Sequence, residues 1–314
     1  KHPPCHLATD FFLMEKKIVN QNPLVSIVII NYNTAEITKQ ALKSIDDNTS
    51  YYPYEILIID NASEHEDQSI LKDFAQSKSI PIQIMHENIG MNRAVNYGFA
   101  LAKGELLLSI NSDVMVEKGW LTKMVDLYKL YDNVAAVNAN IYEDGRSIVS
   151  AKNNRLKILH GACSMYSSKS WDLVGEWDDK NFKFYGIEND WSYRARSFGY
   201  ILLLSEGSRV NHLGSSKITL GGLTAQKTGK RSENLKIRLD GRVKARAYNF
   251  KIRDWLNPSM FYEFIEALKN GYLIILFLSY LRVLFNIKNV YLARNKRYLK
   301  MKYRVKILNS IDDN

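Results

Sequence analysis

Residues 106–113 read Leu-Leu-Leu-Ser-Ile-Asn-Ser-Asp, a short apolar run that stops abruptly on three polar residues. A run of this length without polar alternation predicts a strand buried on both faces, as in a parallel sheet. Ligands in open α/β sheets bind at the carboxyl ends of such strands. A carboxylate placed there, with a polar neighbour two positions earlier, suits a hard cation and the phosphates attached to it. Asn, Ser and Asp are also ordinary turn residues, so the triplet draws its meaning from its surroundings.

Those surroundings repeat the same unit. Residues 25–30 (VSIVII) end on Asn31-Tyr32-Asn33 and precede a helical pattern over 36–45; residues 55–59 (EILII) close on Asp60-Asn61-Ala62-Ser63 before a polar helix over 67–77. A strand over 82–85 leads through Glu87-Asn88-Ile89-Gly90 into a helix over 91–102, which Gly104 stops. Strand and helix thus alternate four times, the signature of a parallel sheet with right-handed crossovers. Beyond Asp113 the pattern predicts a helix over 120–130, a strand over 134–139, a polar loop over 144–154 and a strand over 160–166. A short helix over 171–174, a helix over 188–197 stopped by Gly199, and a strand over 201–204 with a loop through His212 complete the series. From about residue 229 onward the pattern is helical only.

The chain has 314 residues and a formal net charge of +10, unevenly spread. Between residues 267 and 311 lie ten Lys or Arg and no Asp or Glu, which leaves the rest balanced at 33 of each sign. The positive charge therefore belongs to the tail, and a nucleic-acid partner is not implied. Two cysteines, Cys5 and Cys163, form no disulfide framework and no metal-ligand spacing, which fits a reducing compartment. Residues 1–13 lack the apolar core of a signal peptide, and Met14-Glu15-Lys16-Lys17 reads like a natural start, so the preceding residues are expected to be either upstream or artificially appended sequence. No run reaches the ~20 apolar residues of a spanning helix.

Several residues invite chemistry, each with a structural alternative. Asp60 and Asp113 end the second and fourth strands, so both open on one sheet edge; an acid there contacts a ribose or a metal, or closes an Asx turn. Gly90 opens a helix, where a missing side chain admits phosphate, though a plain strand-to-helix turn explains it equally. Glu188 and Asp190 lie in a helix's first turn after the aromatic run 182–186; they either stabilise that end or provide a general base tuned by burial. Arg194, one turn on, is placed to pair with and orient Asp190. A lone His212 is structural by default, but its imidazole can complete a metal site begun by an Asp.

Together these pieces resemble the inverting family-2 glycosyltransferases of the GT-A fold, in particular a rhamnosyltransferase-like bacterial branch. The matching segments are VSIVIINYN (25–33), LIIDNAS (57–63), ENIGMNRAVNYGFALAKGELLLSINSD (87–113), GACSMYSSKSWDLVGEWD (161–178), YGIENDWSYRARSFGY (185–200) and NHLGSS (211–216). The resemblance covers Pro23 to His212 in family order. It implies a Rossmann-like, mostly parallel sheet with helices on both faces over 23–228, after an extension over 1–22 and before a helical, basic region over 229–314. It further implies donor contacts from Asn31, Asn33, Asp60, Asn88, Gly90, Asn92, Arg93, Asn111 and Ser112. Asp113 and His212 become the ligands of Mg²⁺ or Mn²⁺, and Glu188 or Asp190 the catalytic base. Two positions depart from the family pattern: the first acid of the metal motif is Asn111, and Ile187 replaces the leading acid of the second motif. Glu188 is favoured as base because Asp190 faces Arg194.

The implied reaction moves a sugar from a UDP- or dTDP-sugar to a hydroxyl of a glycan or lipid-linked acceptor in bacterial surface-polysaccharide synthesis. A catalytically impaired nucleotide-sugar or glycan-binding module is the alternative that Asn111 and Ile187 keep open. Nucleotidyl transfer is disfavoured, since Asn31-Tyr32-Asn33-Thr34 supplies no Gly-rich, basic signature. The tail carries Tyr272–Phe285 (YLIILFLSYLRVLF) and then a basic stretch; it reads either as a segment lying on an anionic membrane surface or as helices packed on the domain or a second subunit. A cytoplasmic protein, peripheral on the inner face of the membrane, is expected; oligomeric state is left open, a homo-oligomer included.

Overall fold

The structure, a computed structural model, describes residues 22–182, 185–213 and 231–249, and beyond them 264–265, 267–268, 271–285, 288 and 290–292. Its first half is the predicted alternation: β1 (Val25–Asn31), α1 (Ala35–Asn48), β2 (Tyr54–Asp60), α2 (His65–Ser77), β3 (Ile82–Ile84), α3 (Met91–Leu101) and β4 (Leu106–Asn111). Strands β3, β2, β1 and β4 lie side by side and all parallel. Every residue of β1 is buried, as its β-branched run requires. The register sets Asn31 beside Asp60 and Ile30 beside Asn111, so the polar ends of three strands open on one edge.

The second half adds β5 (Val114–Val116), α4 (Trp120–Lys129), β6 (Val134–Glu143), β7 (Arg146–Ser147), β8 (Cys163–Ser167), α5 (Ser168–Val174), α6 (Ile187–Ser197) and β9 (Ile201–His212). Here β8 runs antiparallel to β4 and β6, β9 lies parallel to β6, and β5 closes the path antiparallel to β9. The nine-stranded sheet has the order β3-β2-β1-β4-β8-β6-β9-β5, with β7 on β6.

Two cores flank this mixed sheet, and β1 shows how one strand feeds both. Val28 faces the side covered by α3, α5 and α6, where Phe99, Trp171 and Trp191 pack around Tyr166. Ile27 and Ile29 face the opposite side, covered by α1, α2 and α4. The period of two along a strand makes this division unavoidable.

Three expectations need correction. The loop expected over 205–212 is the continuation of β9, which pairs with β6 as far as Asn211 and with β5 at His212. Strand β5 carries too few residues for a periodic signal; it is held by that pairing, by the Val116 N–H donating to Ser44 Oγ of α1 at 3.2 Å, and by burial of Val114 and Val116. The polar segment after residue 143 turns back as β7, pairing Tyr142 with Ser147. The expected N-terminal extension lies almost wholly outside the described residues, as does most of the basic tail.

The expected break near residue 229 also falls outside them, but the helix beyond it is not detached. Helix α7 (Arg231–Asn249) contributes Leu239, Val243, Ala247 and Tyr248 to the same core as Trp191 and Phe182. It crosses the start of α6 so closely that a Cβ on Gly241 would collide with the backbone of Tyr185 and Gly186. Gly241→Ala is therefore expected to lower stability by about 1–3 kcal/mol, measured by urea unfolding. The last described helix, α8 (Leu273–Phe285), buries Leu276, Ser279 and Val283 on one side, and Arg246 of α7 donates to the hydroxyl of Tyr280. Among the described residues no helix is long and apolar enough to cross a membrane.

Candidate active site

The short turn after β4 brings distant parts of the chain together. Asn111 leaves β4, Ser112 and Asp113 form the turn, and the chain enters β5 at once. Because β5 pairs antiparallel with β9, Val114 lies opposite His212, and the Leu213 N–H donates to the Asp113 carbonyl at 2.9 Å. The Asp113 carboxylate consequently sits 3.2 Å from Nε2 of His212. The other ring nitrogen, Nδ1, lies 2.7 Å from the carboxylate of Glu143 at the end of β6. Burial pulls the His212 pKa down, but its hydrogen bonds to Asp113 and Glu143 outweigh that and leave it raised.

This edge has the donors for a hard divalent cation. Asp113 and His212 offer an oxygen and a nitrogen, and Oδ1 of Asn111 is buried without a hydrogen-bond partner, a lone acceptor of the kind a ligand relieves. Among the described residues no three His, Cys, Asp or Glu side chains form a metal cage; Mg²⁺ and Mn²⁺ sites of this type draw their remaining oxygens from phosphates and water. Glu143 behind the ring fixes His212 in orientation, as acids behind metal-ligating histidines do.

Glu188 reaches the same edge from the other side. It lies in the first turn of α6, and its carboxylate packs over Gly161, where a Cβ would strike Oε1. The next residue, Ala162, accepts a hydrogen bond from the Asn111 N–H at 2.9 Å. Glu188 is thus joined to the metal-motif turn through two consecutive backbone residues. Burial pushes its pKa from the ordinary carboxylate range up to about 7, where it can take and give a proton near neutrality. Asp190 is differently placed: fully buried, it accepts from Arg194 Nε at 3.0 Å and from Asn249 Nδ2 of α7 at 2.8 Å.

At the far end of the edge, Asp60 and Asn31 form a closed network. Asn31 Nδ2 donates to the carboxylates of Asp60 and Asp67, both at 2.8 Å. Asp60 also accepts from the N–H and hydroxyl of Ser63, at 3.0 and 2.6 Å, which is the Asx-type turn set out as its alternative. Asn33 accepts from the Glu64 N–H at 2.7 Å, and Thr34 and Ser112 bring their hydroxyls within 3.3 Å of each other, tying this end to the metal-motif turn.

A family model described as Glycosyl transferase family 2 matches residues 26–187, more than half of the chain. The chain belongs to glycosyl transferase family 2. An uncharacterized protein of Mycobacterium tuberculosis is 26% identical over 211 residues, 61% of this chain and 76% of the relative. Glycosyltransferase AglE of Haloferax volcanii is 31% identical over 107 residues, 33% of this chain and 34% of AglE. An undecaprenyl-phosphate 4-deoxy-4-formamido-L-arabinose transferase of Pseudomonas fluorescens is 28% identical over 121 residues, 37% and 36% of the two chains. The chain thus spans about a third of the two named transferases. Among solved structures, GalNAc-T7 with UDP, GalNAc and Mn²⁺ superposes with a TM-score of 0.58 at 16% identity, covering 73% of this chain and 48% of that one. The mannosyltransferase PcManGT of Pyrobaculum calidifontis, with GDP-Man and Mn²⁺, gives 0.57 at 15%, covering 94% and 89%. These superpositions show the GT-A fold.

The family-2 match ends at Ile187, so Glu188 and His212 stand outside it. The remaining residues expected to contact a donor lie on the approach to α3 and in its first turn. Asn88 Oδ1 accepts from Asn61 Nδ2 and from the Gly90 N–H, both at 2.9 Å, and Gly90 caps α3. Asn92 turns inward, donating from Nδ2 to the Phe182 carbonyl at 2.9 Å. Exposed Arg93 lies 3.6 Å from Asp179. Four residues were not singled out from sequence: Asp67, Glu143, Gly161 and Asn249. Each acts through a partner more than twenty positions away, so local pattern carried no mark of it.

Proposed function

We propose that this family-2 glycosyltransferase transfers a sugar from a nucleotide-sugar donor to an acceptor hydroxyl with inversion of configuration. The observation that carries the proposal is that Asp113 lies 3.2 Å from His212, while Glu188 packs over Gly161, next to the Ala162 carbonyl that holds the Asn111 N–H of the same turn. Asp113 and His212, with the side-chain carbonyl of Asn111, would hold Mg²⁺ or Mn²⁺, which neutralises charge on a departing diphosphate. The two solved neighbours hold UDP with GalNAc and GDP-Man, each with Mn²⁺, which supports a nucleotide-sugar and a divalent ion here. The nucleoside end lies beside Asn33 and Asn88, on turns that the buried network of Asn31 and Asp60 holds in place, and α3 presents its N-terminus at Gly90 to phosphate.

Glu188 takes the proton of the acceptor hydroxyl. The acceptor oxygen forms its bond to the anomeric carbon as the bond from that carbon to the diphosphate oxygen breaks, and the leaving group keeps the electron pair. One displacement inverts the centre. Asp190, held by Arg194 and Asn249, keeps the first turn of α6 in place rather than exchanging protons. A UDP- or dTDP-hexose, a glycan or lipid-linked acceptor and a place in bacterial surface-polysaccharide assembly complete the reading, as in the rhamnosyltransferase-like branch.

Asp113→Ala tests it. Mn²⁺ binding by calorimetry is expected to weaken by at least about tenfold, and transfer by about 10²–10³-fold, with the fold retained. Unaltered metal binding would remove Asp113 from the site. Nucleotide-sugar binding without turnover in the unaltered chain would favour the binding-module reading.

A further inference from the structure

We infer that the outward face of α8 is a docking surface for an anionic lipid bilayer. The helix is apolar nearly all round, yet it has only one buried side. Leu276, Ser279 and Val283 face inward, and Tyr280 meets Arg246 of α7. Ile274, Phe277, Leu278, Leu284 and Phe285 recur at helical spacing on the other side, with Ile274, Phe277 and Phe285 exposed by 75%, 62% and 86%. Soluble surfaces rarely carry so many large apolar side chains in one stripe, two of them phenylalanines.

The charge of the segment selects the occupant. Residues 267–311 hold ten Lys or Arg and no Asp or Glu. Two copies of so basic a segment carry like charge, which opposes self-association through it. A bilayer rich in anionic headgroups answers both properties, because the phenylalanines and leucines enter the headgroup–acyl boundary and the basic residues meet the phosphates. Among the described residues no helix is long and apolar enough to cross a hydrocarbon core of about 30 Å, and the described helix runs 13 residues, about 20 Å at 1.5 Å per residue. Its inner side is fixed to α7, and α7 to α6 at Gly186. The helix therefore lies along the surface with the folded domain behind it. This reading rests on exposure and charge and holds whether or not the chain transfers sugar.

Flotation of the full chain with vesicles of phosphatidylcholine, with and without phosphatidylglycerol, tests it. Binding is expected on the anionic vesicles, at least about tenfold weaker on neutral ones, and weakened further by salt. The double substitution Phe277→Asp and Phe285→Asp should reduce binding at least about tenfold with an unchanged melting temperature, since both side chains are exposed. Equal binding of the double variant, or equal binding to neutral vesicles, overturns the proposal. So does a dimer in sedimentation equilibrium that the double variant abolishes, which would make the face a self-interface.

Discussion

Glu188→Gln is expected to lower the rate of sugar transfer by about 10²–10⁴-fold while leaving the protein at least as stable at alkaline pH. The amide keeps the shape that packs over Gly161 but cannot accept the acceptor's proton. In the unaltered chain, burial sets the carboxyl at about 7 in place of its ordinary 4.5. The reactive form is the carboxylate, so kcat/KM should rise with pH through about 7 and flatten above it. The stability consequence has the opposite sense. The folded chain holds this proton more tightly than the unfolded chain, so its stability declines as pH climbs from 4.5 to about 7. The full shift corresponds to about 3 kcal/mol at most. The substituted amide does not ionise, and melting curves at pH 6 and pH 8 should show the variant gaining on the parent as pH rises. Full activity in the variant would place the base elsewhere.

Arg194→Ala is expected to cost about 3–5 kcal/mol in urea unfolding, because it strands a buried carboxylate. Asp190 has no exposed surface, and the Arg194 side chain is nearly as buried. Beyond its 3.0 Å bond to Asp190, the guanidinium donates to the carbonyls of Val174, Gly175 and Glu176 at 2.7 to 3.0 Å. One planar group therefore satisfies a helix, a turn and an acid at once. Arg194→Lys should recover little of the loss, since an ammonium cannot reach carbonyls and carboxylate in those separate directions. A loss under about 1 kcal/mol in Arg194→Ala would mean that the pair does not hold α6.

The parallel half of the molecule was legible in the sequence because each of its strands is an unbroken apolar run closed by a polar turn. Burial on both faces leaves that mark without help from any partner. Asp60, Asp113 and the pairing of Asp190 with Arg194 were readable for the same reason, since they lie at element ends or one helical turn apart. β5 and the second half of β9 were not. Residues 205–212 carry Ser, Glu, Gly, Ser and Arg, which read as loop, and their strand exists because β6 and β5 supply hydrogen bonds on either side. The contact of His212 with Glu143 is a product of that same register, so no spacing rule could reveal it. Asp60 is the reverse case: its position was evident, but its closed set of bonds to Asn31 and Ser63 appears only in three dimensions.

The crossing of α7 over Gly186 has a practical consequence for protein engineering. A fragment trimmed to the family-matched region would stop at the first residue of α6, discarding His212 and the whole of β9. Even a cut after the last strand would bare the groove that Gly241 fills and release Asn249 from Asp190. Chimeras that exchange C-terminal helices between relatives should thus be built with α6 and α7 transplanted together, as a single cassette.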